Sequence, residues 1–205
     1  MSNTLTTDNY KKHTTTASFK NLSFLQRFLI DNFYKVLLKE VGKLLPVSIL
    51  DAGCGEGFTL HKLQQAKIGK ELSGFDSLDK AIKIGKKQYK SLDLKVDNIY
   101  DIKSPANAYD VVICSEVLEH LEHPESALKE LIRVSKKYVV LSVPQEPYFM
   151  IGNFLRGKNL KRWGNDIEHI QHWTNRGFKG FISKYLKIKT NLTPLPWSLI
   201  VAEKR

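Results

Sequence analysis

Ile49-Leu50-Asp51-Ala52-Gly53-Cys54-Gly55-Glu56-Gly57 is the stretch that decides the fold of this chain. An apolar run feeds an acidic residue, glycines follow at three alternate positions, and a helical pattern begins beyond them. Strand, glycine turn and helix start in that order form a place where a small molecule meets bare backbone. Glycine serves twice there: it accepts positive φ, and without a Cβ it lets a ligand approach the main chain. A tight strand-to-helix turn of purely structural use has the same composition, so the segment has to be read with the rest of the chain.

Two cofactor classes compete for such a loop. The dinucleotide fingerprint requires G-x-G-x-x-G. Gly53 and Gly55 fit it, but the third glycine falls at 57 and Phe58 occupies the place that close helix–strand packing needs free. Asp51, just before the loop, suits a ligand bearing an ammonium group better than one bearing a pyrophosphate. S-adenosylmethionine (SAM) has an amino-acid head, a sulfonium and a ribose, and no phosphate. Three further segments agree. Leu72-Ser73-Gly74-Phe75-Asp76 ends a short strand and places a carboxylate about 20 residues past the loop, where a ribose diol is caught. Val96-Asp97-Asn98-Ile99-Tyr100-Asp101 offers polar groups to an adenine edge, and Tyr109 to Ser115-Glu116 is a buried strand leading into a predicted helix. Polar strand tips in this order describe one crevice at the carboxyl edge of a parallel sheet.

On these residues the chain resembles the class I SAM-dependent methyltransferases, from about residue 45 to the C-terminus. Asp51–Gly57 resembles the family's first motif and Gly74–Asp76 its second; Asn98–Asp101 matches the adenine-contacting stretch and Asp110–Pro124 the fourth-strand motif. The resemblance is nearest to the group that includes the ubiquinone-biosynthesis O-methyltransferases. Many relatives carry a Leu-Pro-Phe-type turn after the adenine motif where this chain has Ile102-Lys103-Ser104. The resemblance implies that Asp51, Gly53, Gly55 and Gly57 hold the methionine moiety, Asp76 the ribose, and Asn98 with Ile99 the adenine. Ser115, at the end of the fourth strand, is counted with these cofactor-binding residues.

The acceptor side centres on Glu116-Val117-Leu118-Glu119-His120. At helical spacing, positions i, i+3 and i+4 share a face, and two carboxylates with an imidazole there are candidate ligands for a divalent metal. The segment resembles the Glu-x-x-Glu-His run of metal-dependent relatives, including the small-RNA 3′-terminal 2′-O-methyltransferases, where a later histidine completes the site. Glu168-His169-Ile170-Gln171-His172-Trp173-Thr174 offers His169 or His172 for that place. Two other readings stand beside the metal: His120 as a general base, since an imidazole titrates near neutrality, and a purely structural segment. An irregular, aromatic-rich insertion over 144–184 follows the fifth strand and is placed to cover the acceptor. Trp163, His169, His172 and Trp173 either line a flat pocket there or, for the tryptophans, anchor the loop.

Length and composition bound the rest. A chain of 205 residues is expected to be one domain with a core needing no staples. Cys54 and Cys114 are too few for a disulfide framework and suit a reducing, cytoplasmic setting. No secretory signal is evident, residues 1–20 read as a flexible segment or lid, and no apolar run reaches the roughly 20 residues of a membrane span. The formal net charge of +11 admits nucleic acid, an anionic membrane surface or solvated lysines. Phe24–Leu45 reads as a basic amphipathic helix that packs on its own domain or lies peripherally on a membrane. Helices over Leu60–Ala66, Lys80–Lys87 and Glu125–Val134 alternate with strands, and Leu186–Thr190 and Ser198–Ala202 form a final pair. The expected fold is α/β: one Rossmann-like domain over 21–205, with a doubly wound, mostly parallel sheet of about seven strands and an antiparallel strand at the C-terminal edge. The expected function is transfer of a methyl group from SAM to a small-molecule acceptor at oxygen. The rivals are a metal-dependent RNA 2′-O-methyltransferase and a non-catalytic SAM-binding protein.

Overall fold

Ser23 fixes where the first helix begins. Its side chain accepts from the Gln26 amide while the Gln26 side chain accepts from the Ser23 amide, a complete capping box for α1 (Phe24–Lys43). Phe33, Leu37 and Val41, four residues apart, form its buried stripe. The computed structural model describes residues 23–148, 150–151 and 169–205. The N-terminal segment 1–20, Trp163 and Glu168 therefore lie outside the described residues.

From α1 the chain alternates. β1 (Ser48–Ala52) leads through the glycine loop to α2 (Phe58–Gln65), then β2 (Glu71–Asp76), α3 (Asp79–Gln88) and β3 (Asp93–Val96). β4 (Tyr109–Ser115) passes through a 3₁₀ turn at Leu118–His120 to α4 (Pro124–Val134) and β5 (Ser135–Pro144). α5 (Asn175–Ser183), β6 (Lys187–Leu192) and β7 (Trp197–Glu203) follow. Among the described residues the sheet has seven strands in the order β3-β2-β1-β4-β5-β7-β6. β1 to β5 run parallel, and β7 enters antiparallel between β5 and β6. The order reverses between β1 and β4, and at such a switch point the crevice opens at the carboxyl edge, where the parallel strands end.

The sheet is covered on both faces, which is why its central strands read as continuous apolar runs. Ile49, Val111, Ile113 and Val140 join the cluster under α1, α2 and α3. Leu50, Ala52, Val112, Cys114 and Leu141 join the cluster under α4 and α5. Asp110, placed in a site motif by resemblance, sits instead at the amino edge. One of its oxygens, Oδ2, accepts from the amides of Val47 and Ser48, both at 2.9 Å, and these bonds with Lys136 hold its carboxyl down at about 2. It staples the entry of β1 to β4.

The insertion over 144–184 departs from expectation at its end. Asn175–Ser183 is a regular helix, capped by Thr174 through a bond from the Gly177 amide, and it buries Phe178 and Ile182 at i, i+4. Gly177 and Gly180 within it masked the helical pattern, since glycine is a weak helix former that tertiary packing overrides.

Candidate functional site

The glycine loop hangs from the end of β2. The amides of Gly53 and Cys54 both donate to the Phe75 carbonyl at 2.8 Å. The Gly55 amide donates to Asp76 Oδ2 and the Leu78 amide to Asp76 Oδ1, each at 2.9 Å. Asp76 thus locks loop and strand end together. Replacing it would remove two backbone anchors along with any ribose contact. Gly53 and Gly55 take φ of 79° and 54°, for different reasons. A Cβ on Gly53 would lie 2.4 Å from Val117 Cγ2, whereas one on Gly55 meets nothing within 4 Å. Gly53 is required by close packing on the segment after β4; Gly55 borders open space.

Asp51, at the end of β1, is 2% exposed and its Oδ2 has no hydrogen-bond partner. Burial pushes its carboxyl up to about 7, and the neighbouring Asp76 adds to the rise. A buried carboxylate oxygen without a partner is costly unless a cation or donor meets it. A ligand ammonium fits that requirement.

Sequence reasoning missed Tyr34. It lies on α1 beside the buried stripe, so its spacing reads as core. Its hydroxyl bonds the Thr59 side chain at the start of α2, and burial, with the fields of Asp51 and Glu116, holds the phenol well above its usual range. Phe58, the residue that breaks the dinucleotide pattern, packs edge-on against Tyr34 with ring centroids 5.2 Å apart.

The adenine stretch is a tight turn. Asp97 Oδ1 accepts from the Asn98 amide and Oδ2 from the Lys103 amide; Asn98 Oδ1 accepts from the Tyr100 amide at 3.0 Å. Asn98 is exposed with its side-chain oxygen engaged in the turn, and Ile99 is half-buried against the core.

The acceptor side differs from the expected single helical face. β4 ends at Ser115, Glu116 adopts φ 58°, and only Leu118–His120 is helical, as one 3₁₀ turn. The left-handed residue sends Glu116 back toward β5 and β7. Glu116 Oε1 accepts from Ser142 Oγ at 3.0 Å, its carboxylate also bonds the Trp197 side chain, and Ser115 Oγ lies 2.7 Å from Ser142 Oγ. Enclosure raises the Glu116 carboxyl to about 8 despite those bonds. Glu116 is not among the clustered ligand residues, which are Glu119, His120 and His169, each offering a ligand atom within 4.8 Å of the others.

Glu119 is 1% exposed and neither carboxylate oxygen accepts a hydrogen bond; His120 Nε2 lies 3.9 Å from its Oε1. Burial, then the charge of Glu116, holds its carboxyl well above the usual range. The Glu119 carbonyl accepts from the amides of Ile170 and Gln171 at 2.8 and 2.9 Å, and this brings His169 to His120, ring centroids 5.1 Å apart. His172 stands beside the cluster, its ring centroid 6.4 Å from that of His169, but it is not one of the three clustered ligand residues, and its Nδ1 lies 3.9 Å from Glu146 Oε1. Two imidazoles and an otherwise unpartnered carboxylate are a donor set suited to a borderline divalent ion such as zinc or manganese. Trp173 stacks on Phe181 at 5.7 Å and touches Phe178 at 5.4 Å, which makes it an anchor of the loop.

Comparison with known proteins adds the following. The chain matches a family described as "Methyltransferase domain" over residues 22–185. It is 28% identical over 121 residues to the mitochondrial ubiquinone biosynthesis O-methyltransferase of Saccharomyces cerevisiae, a match covering 54% of this chain and 38% of that protein. It is 34% identical over 96 residues to the ubiquinone biosynthesis O-methyltransferase of Azoarcus sp., covering 43% of this chain and 39% of that one. The matched stretch thus spans about two-fifths of the length of these relatives. Among solved structures, magnesium protoporphyrin IX methyltransferase of Synechocystis, with bound SAH, superposes with a TM-score of 0.66 at 16% identity, covering 90% of this chain and 89% of that one. The methyltransferase domain of bacterial CtHen1 superposes with a TM-score of 0.68 at 19% identity, covering 85% of this chain and 99% of that domain.

Proposed function

The chain belongs to the methyltransferase-domain family, as a class I SAM-dependent methyltransferase, and from that premise we propose that it moves the methyl group of SAM onto a hydroxyl oxygen of a small-molecule acceptor. The observation that carries this reading is Asp51: a buried carboxylate oxygen with no partner, beside a glycine loop whose Gly55 faces open space. The cofactor would supply an activated methyl on a positively charged sulfur. An acceptor oxygen in line with that methyl would receive it, with the carbon–sulfur electron pair left on sulfur and the hydroxyl proton passing to an acceptor-side base or to water. The chain's part is to align the two and exclude water. Asp51 binds the ammonium, Asp76 takes the ribose hydroxyls on its remaining lone pairs, and Asn98 and Ile99 border the adenine. Ser115 fixes Ser142 at the floor beneath Glu116.

Calorimetry tests the cofactor. SAM and its demethylated product should bind and NAD should not; tighter binding of NAD would sink the assignment. The acid supplies a second test. A ligand ammonium favours ionised Asp51, while the empty site holds a proton up to about pH 7. SAM affinity should therefore rise as pH climbs through about 7, and binding below that pH should release a proton. Titration in two buffers of different ionisation enthalpy reads that proton directly. Asp51→Asn should bind weakly and release none; an unchanged proton count would move the ammonium elsewhere.

On the acceptor side the geometry favours a divalent ion on Glu119, His120 and His169. Glu119, buried and without a hydrogen-bond donor, supports it. Such an ion would act as a Lewis acid on the acceptor hydroxyl. Without it, His120 takes the hydroxyl proton as general base. The same cluster, with the net charge of +11, also suits an RNA 2′-hydroxyl as acceptor. Salt separates that reading: RNA binding falls steeply with ionic strength, whereas binding of an uncharged metabolite does not. Transfer of labelled methyl groups to any fraction of a cell extract distinguishes an enzyme from a non-catalytic SAM-binding protein. Free Cys54 and Cys114 suit the cytoplasm as its setting.

A further inference from the structure

Among the described residues, most of the exposed large apolar side chains lie toward one edge of the sheet. Among the described residues, only Leu45 and Val47 of the exposed large apolar side chains lie at the amino edge, just before β1; the others stand at the carboxyl edge, around the crevice mouth. Phe24, Leu25 and Phe28 are the most prominent group, 87, 64 and 60% exposed. Their exposure is not fraying, because the capping box sets the start of α1 at Ser23. α1 runs antiparallel to β1 and meets the carboxyl edge where Phe33 packs on Trp197, ring centroids 5.1 Å apart. Phe24 lies nine residues earlier, about 13 Å further along the axis at 1.5 Å per residue. The first turns of α1 therefore extend past the carboxyl edge of the sheet. Tyr148 and Ile151, which follow β5, and Leu195, in the turn between β6 and β7, project from the same edge.

We infer that this rim is a docking surface for an anionic lipid bilayer, with the crevice facing the membrane. Two observations select a bilayer. The apolar groups come from three separate segments, the start of α1, the stretch after β5 and the turn between β6 and β7, rather than from one element. A rigid protein partner needs a continuous complementary face, while a fluid lipid interface accommodates scattered aromatic and aliphatic tips. The formal net charge of +11 complements an anionic surface and supplies the long-range attraction that shallow insertion needs. Among the described residues no helix is long and apolar enough to cross a membrane, so the contact is peripheral. This inference concerns a surface outside the cofactor site and holds whatever the acceptor is.

Co-sedimentation of the full chain with vesicles tests it. Vesicles of phosphatidylcholine containing phosphatidylglycerol should carry the protein down; phosphatidylcholine alone should carry much less. The double variant Phe24→Ser, Phe28→Ser should lose about tenfold or more in partitioning, because both insertion contacts are removed. Its SAM affinity and melting temperature should match those of the parent, which separates this result from a failure of the cofactor assignment. Equal sedimentation of parent and variant, or none with either vesicle, overturns the inference. Sedimentation velocity without lipid gives the remaining outcome: a dimer that the double substitution dissolves would make a second copy of the chain the occupant and overturn the bilayer.

Discussion

Gly53→Ala is expected to weaken SAM binding by about 100-fold or more and to lower the melting temperature. Two effects add. The residue holds φ 79°, where an L side chain costs roughly 1–2 kcal/mol. Its Cβ would also stand 2.4 Å from Val117 Cγ2, an approach that no real contact shows. Relief requires Val117 to move, and Val117 sits between Glu116 and the 3₁₀ turn that carries Glu119 and His120. Gly55→Ala is the control. Its Cβ meets nothing within 4 Å, so stability should fall only by the backbone term, while affinity falls because the added methyl occupies ligand space. Calorimetry and thermal melts on both variants read the difference. A Gly53→Ala protein that binds SAM like the parent would show that the cofactor does not use this loop.

Chelation is expected to abolish methyl transfer to a hydroxyl acceptor reversibly. His120→Ala, His169→Ala and Glu119→Gln should each cost about 100-fold or more in rate, because each removes part of one coordination sphere. His172→Ala should cost less, since the ring packs beside His169 without being one of the clustered ligands. A general-base His120 gives another pattern: chelators do nothing, His120→Ala still costs roughly 100-fold, and His169→Ala is nearly silent. Any hydroxyl or phenol acceptor that turns over suffices. Full activity of His120→Ala, with or without chelator, defeats both readings and leaves the segment structural.

The alternating fold and the cofactor crevice were legible because they rest on short-range rules. An apolar run, an acid and spaced glycines fix strand, turn and helix within nine residues. What escaped depended on single backbone angles or on partners distant in sequence. Glu116, Glu119 and His120 have the spacing of a helical face, yet one left-handed residue at 116 divides them, and a glutamate gives no sign that it will take positive φ. Of the two candidate histidines, His169 joins the cluster through bonds from Ile170 and Gln171 to the Glu119 carbonyl, about 50 residues earlier, which no local pattern records. Tyr34 escaped because an amphipathic stripe does not distinguish a core aromatic from one whose hydroxyl reaches a site. Asp76 was legible as a carboxylate at a strand tip, but its bonds to the Gly55 and Leu78 amides were not, and these make it a structural latch.

The antiparallel β7 also sets an order of assembly. β6 has no neighbour in the sheet except β7, which is made after it and must insert between it and β5. A chain grown only as far as Pro196 therefore carries a β6 segment with nothing to pair with, and β5 shows an open edge. Such an edge invites pairing with another chain. The same unfinished chain lacks Trp197, and with it the bond to Glu116 and the seat for Phe33 of α1. The seven residues of β7 thus close the sheet, seat the first helix and hold Glu116.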